Sequence, residues 1–152
     1  MVDQTILRTK LYAPPPRRNL VAPPRLLAKL DASLAPENRL TLVSAPAGFG
    51  KTTLVSDWVS KTRASGSVSA QAIAWFTLDE ADNDYIRFWR YLLAALQTID
   101  SRLGESILPA LYTPQPPAYQ TMVTGLVDEL IMLPTNLLYL ACSTPSETWA
   151  CL

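Results

Sequence analysis

One ten-residue stretch constrains the fold more than any other part of the chain. Residues 44–53 read Ser-Ala-Pro-Ala-Gly-Phe-Gly-Lys-Thr-Thr. They fit the pattern G-x-x-x-x-G-K-[ST] at every defined position except the first, where Ala45 replaces glycine. An apolar run at 39–44 precedes the stretch, and apolar residues at helical spacing follow it over 51–61. The sequence therefore predicts a strand, a tight loop and a helix, which is the setting that a phosphate-binding loop requires.

Each residue type in this loop has a chemical reason to be there. Gly48 and Gly50 allow the backbone to curl so that successive N–H groups point at phosphate oxygens, and the helix adds its positive end. Lys51 would reach the β- and γ-phosphates, and the Thr52 hydroxyl would bind Mg²⁺. The alternative is a plain glycine-containing turn between a strand and a helix. The candidate nucleotide-binding residues are Ala45, Pro46, Ala47, Gly48, Phe49, Gly50, Lys51, Thr52 and Thr53.

Strand and helix patterns alternate along the chain. Helices are predicted at Arg25–Ala35, 51–61, 85–101 and 119–133, and strands at 39–44, 73–78 and 137–141. Strands that alternate with helices favour an α/β fold with a parallel sheet. A proline-rich arm, residues 1–24, precedes the first helix.

The charge pattern excludes some functions. The chain has no histidine, so no mechanism can depend on one. Residues 1–102 carry all 13 basic groups and a net charge of +4, whereas residues 103–152 carry −4. This asymmetry is too mild for a nucleic-acid patch, and the bases scattered over 8–39 predict a solvated basic arm.

The compartment follows from what the sequence lacks. Its two cysteines, Cys142 and Cys151, both lie in the last eleven residues, so the predicted core has none. A core without cysteine favours a reducing, cytoplasmic location. The first residues lack the apolar core of a signal peptide, and the longest apolar stretch, 126–142, is interrupted by Asp128, Glu129 and Pro134. We therefore expect no membrane span.

An acidic run follows the second predicted strand. Asp79, Glu80, Asp82 and Asp84 are compatible with a metal or catalytic carboxylate, but helix capping by Asn83 or Asp84 explains them more simply. Asp79 fits the capping interpretation least well. The nearby aromatic residues are predicted to lie in the core rather than to stack on a base: Trp58, Trp75, Phe76, Trp89 and Tyr91.

Three segments together carry a family resemblance. PAGFGKTTL, WFTLDEADND and FWRYLLAAL resemble the N-terminal ATPase domain of MalT-like LuxR-family regulators, a class of signal-transduction ATPases with numerous domains (STAND). The resemblance covers about residues 5–140. It implies a P-loop NTPase three-layer αβα core that binds ATP with Mg²⁺, and self-association driven by nucleotide and an inducer. It also implies action on DNA through modules that these 152 residues do not contain.

The chain departs from that family in two places. Pro23 stands where such openings commonly have arginine, and the third strand is followed by Ala141, Cys142 and Ser143 instead of the paired Walker B carboxylates. From about 141 the family character stops, so we expect a frameshift or truncation there. The domain division is an arm at 1–24, a partial P-loop NTPase domain at 25–140 and an atypical tail at 141–152.

The family strand order, 5-1-4-3-2, predicts an incomplete sheet for this chain. Strands 4 and 5 would lie beyond Leu152, so the first and third strands would lack their shared neighbour. Such unpaired edges predict marginal stability and a tendency to associate.

Three functions remain open at this point. The first is an ATP-binding fragment of a MalT-like transcriptional regulator, with negligible hydrolysis and no catalytic residue. The second is a non-catalytic remnant or interaction module with a vestigial loop. The third, a small P-loop kinase, is disfavoured because no basic residue follows Arg102 to close over the phosphates.

Overall fold

Four strands form one sheet in the computed structural model, which describes residues 6–16, 22–33, 35, 42–43, 46, 48–66, 73–132, 139–143 and 150–151. The strands are β1 (Leu42–Val43), β2 (Ile73–Thr77), β3 (Tyr139–Ser143) and β4 (Ala150–Cys151). Their order across the sheet is β1-β4-β3-β2. β3 pairs in parallel with β2, and the two residues of β4 pair antiparallel with both β1 and β3.

The strand directions bring three strand ends to one edge of the sheet. Because β4 runs opposite to both of its neighbours, β1, β2 and β3 all point the same way. The loop after β1 and the acidic run after β2 therefore leave the sheet at the same edge. Ligands of open α/β sheets bind at this carboxyl edge.

The helices largely follow the predicted pattern. They are α1 (Pro24–Ser33), α2 (Lys51–Ala64), α3 (Tyr85–Leu96) and α4 (Tyr119–Ile131). Each lies within a few residues of its predicted bounds, as element ends commonly do. The second strand ends one residue before the prediction, at Thr77, and β3 lies two residues later than predicted. The predicted strand at 39–44 is described only at Leu42 and Val43, because its other residues lie outside the described ranges.

β2 is buried on both faces and divides the core in two. Ala74 and Phe76 belong to one apolar cluster, with α3 and α4. Ile73 and Trp75 belong to the other, with Leu30 of α1 and the inner face of α2. Successive residues of a strand point to opposite faces, so the helices cover the sheet from both sides.

β4 occupies the position next to β1 that we expected to be empty. We expected β1 and the third strand to lack a shared neighbour, but β4 from the tail lies between them. Leu42 is opposite Cys151, and Cys142 is opposite the same residue on the other side. The expectation of two unpaired edges here was wrong because a short antiparallel strand satisfies the same backbone groups as a parallel one.

The basic arm is not wholly solvated. Arg8–Leu11 forms a 3₁₀ helix in which Lys10 and Leu11 are buried. Leu11 joins the α3 cluster, with Ile6 packed against it. The prediction of a solvated arm was therefore wrong at Lys10, although Arg8 in the same helix is exposed.

α3 ends at Leu96, five residues before the predicted end. The Thr98 hydroxyl donates to the Ala95 carbonyl, and the Gln97 side chain donates to the Leu103 carbonyl, so local polar groups turn the chain. The turns that follow pass through Gly104, whose φ is +79°. Glu129 of α4 holds this segment, because its carboxylate accepts from the Gly104 N–H and from the Ser106 hydroxyl.

Gly104→Ala should destabilise the chain more than Gly66→Ala. Both glycines have positive φ, but a Cβ at Gly104 would lie 2.7 Å from Leu93 Cδ2, whereas one at Gly66 meets nothing within 4 Å. We expect a loss of about 1–2 kcal/mol for Gly66→Ala and at least ~1 kcal/mol more for Gly104→Ala, by urea unfolding. Equal losses would show that Leu93 does not restrict this turn.

Candidate phosphate-binding site

The candidate loop enters α2 through two left-handed glycines. Gly48 has φ +82° and Gly50 has φ +78°, a conformation that other residues rarely adopt. The Phe49 N–H donates to the Pro46 carbonyl at 3.3 Å, which closes the turn. The Phe49 side chain is 75% exposed, so it points away from the core. Ala45 and Ala47 lie outside the described residues.

The N-terminus of α2 lacks the usual side-chain cap. Gly50 is its N-cap residue and has no side chain to accept from the first N–H groups, and the first turn holds no acidic residue. The first four N–H groups of a helix have no acceptor within the helix. The positive end of α2 therefore has no neighbouring carboxylate from its own first turn to neutralise it.

Lys51 lies over the loop rather than in solvent. Its side chain is buried, and its Nζ donates to the Pro46 carbonyl at 3.1 Å. The ammonium is thus held on the candidate loop, where it adds positive charge next to the backbone N–H groups. Thr52 and Thr53, the next two candidates, are half-buried in the first turn of α2.

These groups fit a phosphate ligand in their chemistry. Backbone N–H groups and an ammonium donate to phosphate oxygens, and a threonine hydroxyl is a hard oxygen ligand suited to Mg²⁺. A Cβ built at Gly48 or at Gly50 would meet nothing within 4 Å, so the glycines face open space. The structure therefore brings Gly48, Gly50, Lys51 and Thr52 together at one helix end.

The acidic run after β2 caps helices, as predicted. The Asp84 carboxylate is the N-cap of α3 and accepts from the Arg87 N–H at 2.8 Å. The Asp79 carboxylate caps the 3₁₀ helix Glu80–Asn83, and the Asp82 carboxylate accepts a hydrogen bond from the Asp79 N–H to complete a capping box. Of the two residues predicted as possible N-caps of α3, Asn83 and Asp84, the cap is Asp84.

Asp79 is also tied to the arm rather than to the phosphate-binding loop. Lys10 Nζ donates to Asp79 Oδ2 at 3.0 Å. β4 and β3 lie between β1 and β2, so the two strand ends are about 14 Å apart at ~4.8 Å per strand. This separation disfavours Asp79 as a ligand of a metal ion held by Thr52.

The hydrogen bond from Lys10 lowers the pKa of the Asp79 carboxyl below its ordinary value, and the charge of Arg87 adds to the effect. Partial burial opposes both. Sequence reasoning missed the Lys10 contact because the lysine lies in a proline-rich segment 69 residues away. The apolar residues Ile6 and Leu11 on either side of Lys10 were a signal that this segment could pack on the core.

The aromatic residues near the acidic run lie in the core, as predicted. Trp75, Phe76 and Trp89 are at most 1% exposed, and Trp58 and Tyr91 are buried too. A ring that is fully enclosed offers no face to a nucleotide base. Base stacking by these residues is therefore excluded in this conformation.

No group of three or more acidic, cysteine or histidine side chains that could hold a metal ion occurs within the described residues. In the same part of the chain, no helix is long and apolar enough to cross a membrane. β3 includes Ala141, Cys142 and Ser143, so it extends two residues beyond the predicted strand 137–141. No carboxylate residue lies in β3.

Comparisons with known proteins find relatives that are similar to part of this chain. No family model matches it. A 92-residue portion is 49% identical to the HTH-type transcriptional regulator MalT of Serratia proteamaculans (strain 568). The same length is 42% identical to the MalT regulators of Yersinia pestis (strain Pestoides F) and Yersinia pseudotuberculosis serotype O:1b (strain IP 31758).

These similarities confirm the family resemblance drawn from the sequence. The chain is MalT-like over the matched portion, which covers 60% of its length. The same portion spans only 9% of each of these relatives. The name of the relatives describes a whole regulator, of which this chain corresponds to a small part.

Lys10→Met should raise the pKa of Asp79, because it removes the hydrogen bond that chiefly lowers it. A depressed carboxyl pKa stabilises the fold above about pH 4, and this contribution is lost as pH falls through the folded-state pKa. The substitution should therefore make the free energy of unfolding less dependent on pH in the acidic range where Asp79 titrates. Carboxyl-carbon NMR titration measures the pKa directly, with Arg8→Met as the control; an unchanged Asp79 pKa would contradict the assignment.

Proposed function

We propose that this chain is the nucleotide-binding part of a MalT-like transcriptional regulator and that it binds ATP with Mg²⁺ at residues 45–53. The observation that carries the proposal is the pair of left-handed glycines that leads into α2 beneath the buried Lys51. The MalT similarity supports the choice of family, and the loop chemistry supports the choice of ligand.

Each residue has a distinct task in this proposal. The N–H groups around Gly50 and the positive end of α2 bind phosphate oxygens. Lys51 moves its ammonium from the Pro46 carbonyl to the β- and γ-phosphates. The Thr52 hydroxyl holds Mg²⁺, which would offset the charge of the phosphates.

We further propose that the fold is an αβα core of the P-loop NTPase type. Support comes from three strands that point the same way, helices on both faces of β2, and a glycine loop at the carboxyl edge. The catalytic half of the site is weak, because β3 supplies no carboxylate to hold the metal ion or orient water. ATP turnover should accordingly be negligible.

The wider role is that of the regulator family. We propose a cytoplasmic regulator in which nucleotide state controls self-association, and in which DNA contact belongs to sequence outside these residues. Within the chain itself, the mild separation of charge between the two halves offers no basic face for DNA.

The direct test is a thermal shift with Mg-ATP. At 100 times its Kd, a ligand of the folded state stabilises by about 2.7 kcal/mol, or roughly 5–10 °C for a chain of this size. We expect this shift in the unmodified chain and its loss in Lys51→Ala. ATP hydrolysis should stay at background in both.

Lys61→Ala is the matched control. Lys61 lies on the same helix, is exposed and pairs with Asp57 at 2.7 Å, so its loss removes an equal charge away from the loop. This variant should keep the full shift. An equal shift in the unmodified chain and in Lys51→Ala would refute phosphate binding at this loop. Absence of any shift would favour the interaction module with a vestigial loop.

A further inference from the structure

Lys10 is a buried ammonium that the proposed nucleotide site does not use. The residue is 7% exposed, whereas Arg8 in the same 3₁₀ helix is exposed. Burial of a lysine is expensive unless its charge is paired and its N–H groups are bonded. The surroundings of Lys10 therefore have to supply both.

Two carboxylates receive the ammonium. Nζ donates to Asp79 Oδ2 at 3.0 Å and also donates to Asp82 Oδ2, whose side chain is 1% exposed. Arg87 Nε donates to the other oxygen of Asp82 at 3.0 Å and so fixes its orientation. Lys10 and Arg87 balance the charges of Asp79 and Asp82, so the cluster is neutral as a whole.

Two aromatic rings complete the enclosure. Nζ lies 4.4 Å from the ring centre of Tyr91 and 5.7 Å from that of Phe76, and the two rings stack at 5.6 Å. Distances up to about 6 Å allow an attractive cation–π contact. Carboxylate acceptors on one side and ring faces on the other suit a compact cation with several N–H donors.

We propose that Asp79, Asp82, Phe76 and Tyr91 form a binding site for a primary alkylammonium, filled in this chain by Lys10. The bound ammonium holds residues 6–12, the N-terminal strap, against β2 and α3. A second polar contact of the strap to α3 is the Leu7 N–H, which donates to the Tyr91 hydroxyl at 3.2 Å. β2 is an edge strand among the strands that the structure describes, and the strap packs against it.

The chemistry at the position of Lys10 selects a primary ammonium over a quaternary one. A lysine ammonium is a compact charge with three N–H donors, and two carboxylates accept from it here. A quaternary ammonium contacts aromatic faces but has no N–H for Asp79 and Asp82. Hydrogen bonding and cation–π attraction can therefore be separated by the choice of probe.

The test empties the site and refills it from solution. In the full chain, Lys10→Ala removes the three methylenes and the ammonium beyond Cβ, which n-propylammonium replaces. Hydrogen exchange of residues 6–12, read by mass spectrometry, should accelerate at least about tenfold in Lys10→Ala. n-Propylammonium at about 50 mM should restore at least half of the protection, whereas tetramethylammonium at equal ionic strength should not.

Two controls keep the result specific. Arg8→Ala removes a positive charge from the same 3₁₀ helix, but the Arg8 side chain is exposed and is not part of the site. Hydrogen exchange of the strap in this variant should therefore equal that in the unmodified chain. Asp79→Asn in the Lys10→Ala background removes the more exposed acceptor and should reduce the rescue several-fold. Exchange of α2 should not change in any of these variants.

The proposal is overturned if both cations restore protection equally or if neither does. It is also overturned if strap exchange in Lys10→Ala equals that of the unmodified chain. Should Lys10→Ala fail to fold, Asp79→Asn in the otherwise unmodified chain takes its place: faster exchange of the strap alone supports the site, and unchanged exchange refutes it.

Discussion

β2 has no face that meets water, and the layout of the molecule follows from this constraint. Residues Ile73–Phe76 are all buried, so apolar elements must cover both sides of the strand. α1 and α2 do so on one side, and α3 with α4 on the other. A strand enclosed in this way can meet solvent only at its ends. Both the glycine loop and the acidic run accordingly lie at the carboxyl edge.

That edge holds two groups of charges, one with excess positive charge and one that is neutral as a whole. At α2, glycine backbone and a lysine concentrate positive charge with no acid in the first turn. After β2, two carboxylates and two cations cancel each other in a capped turn. Buried ion pairs give little net stability but strongly disfavour the loss of one partner. The first arrangement can therefore attract an anion, whereas the second fixes the path of the backbone.

Sequence reasoning succeeded where the information was local. The apolar spacing of α2 and α4 and the cap at Asp84 each lie within or beside one element, so spacing and residue type along a short stretch reveal them. It failed where partners are distant: Lys10 meets Asp82 across 72 residues, and β4 joins β1 at Leu42 and Cys151. Such pairings depend on the competition among all strands and charges in the folded chain, and a proline-rich segment gives no periodic signal of its own.

The bond from Lys51 to the Pro46 carbonyl has a consequence for how an anion would meet the loop. The ammonium has already left water and its rotamers are already restricted, so most of that ordering occurs when the chain folds. An arriving phosphate then exchanges one acceptor for a more strongly charged one. An anion that bound this loop would therefore need little further ordering of the Lys51 side chain.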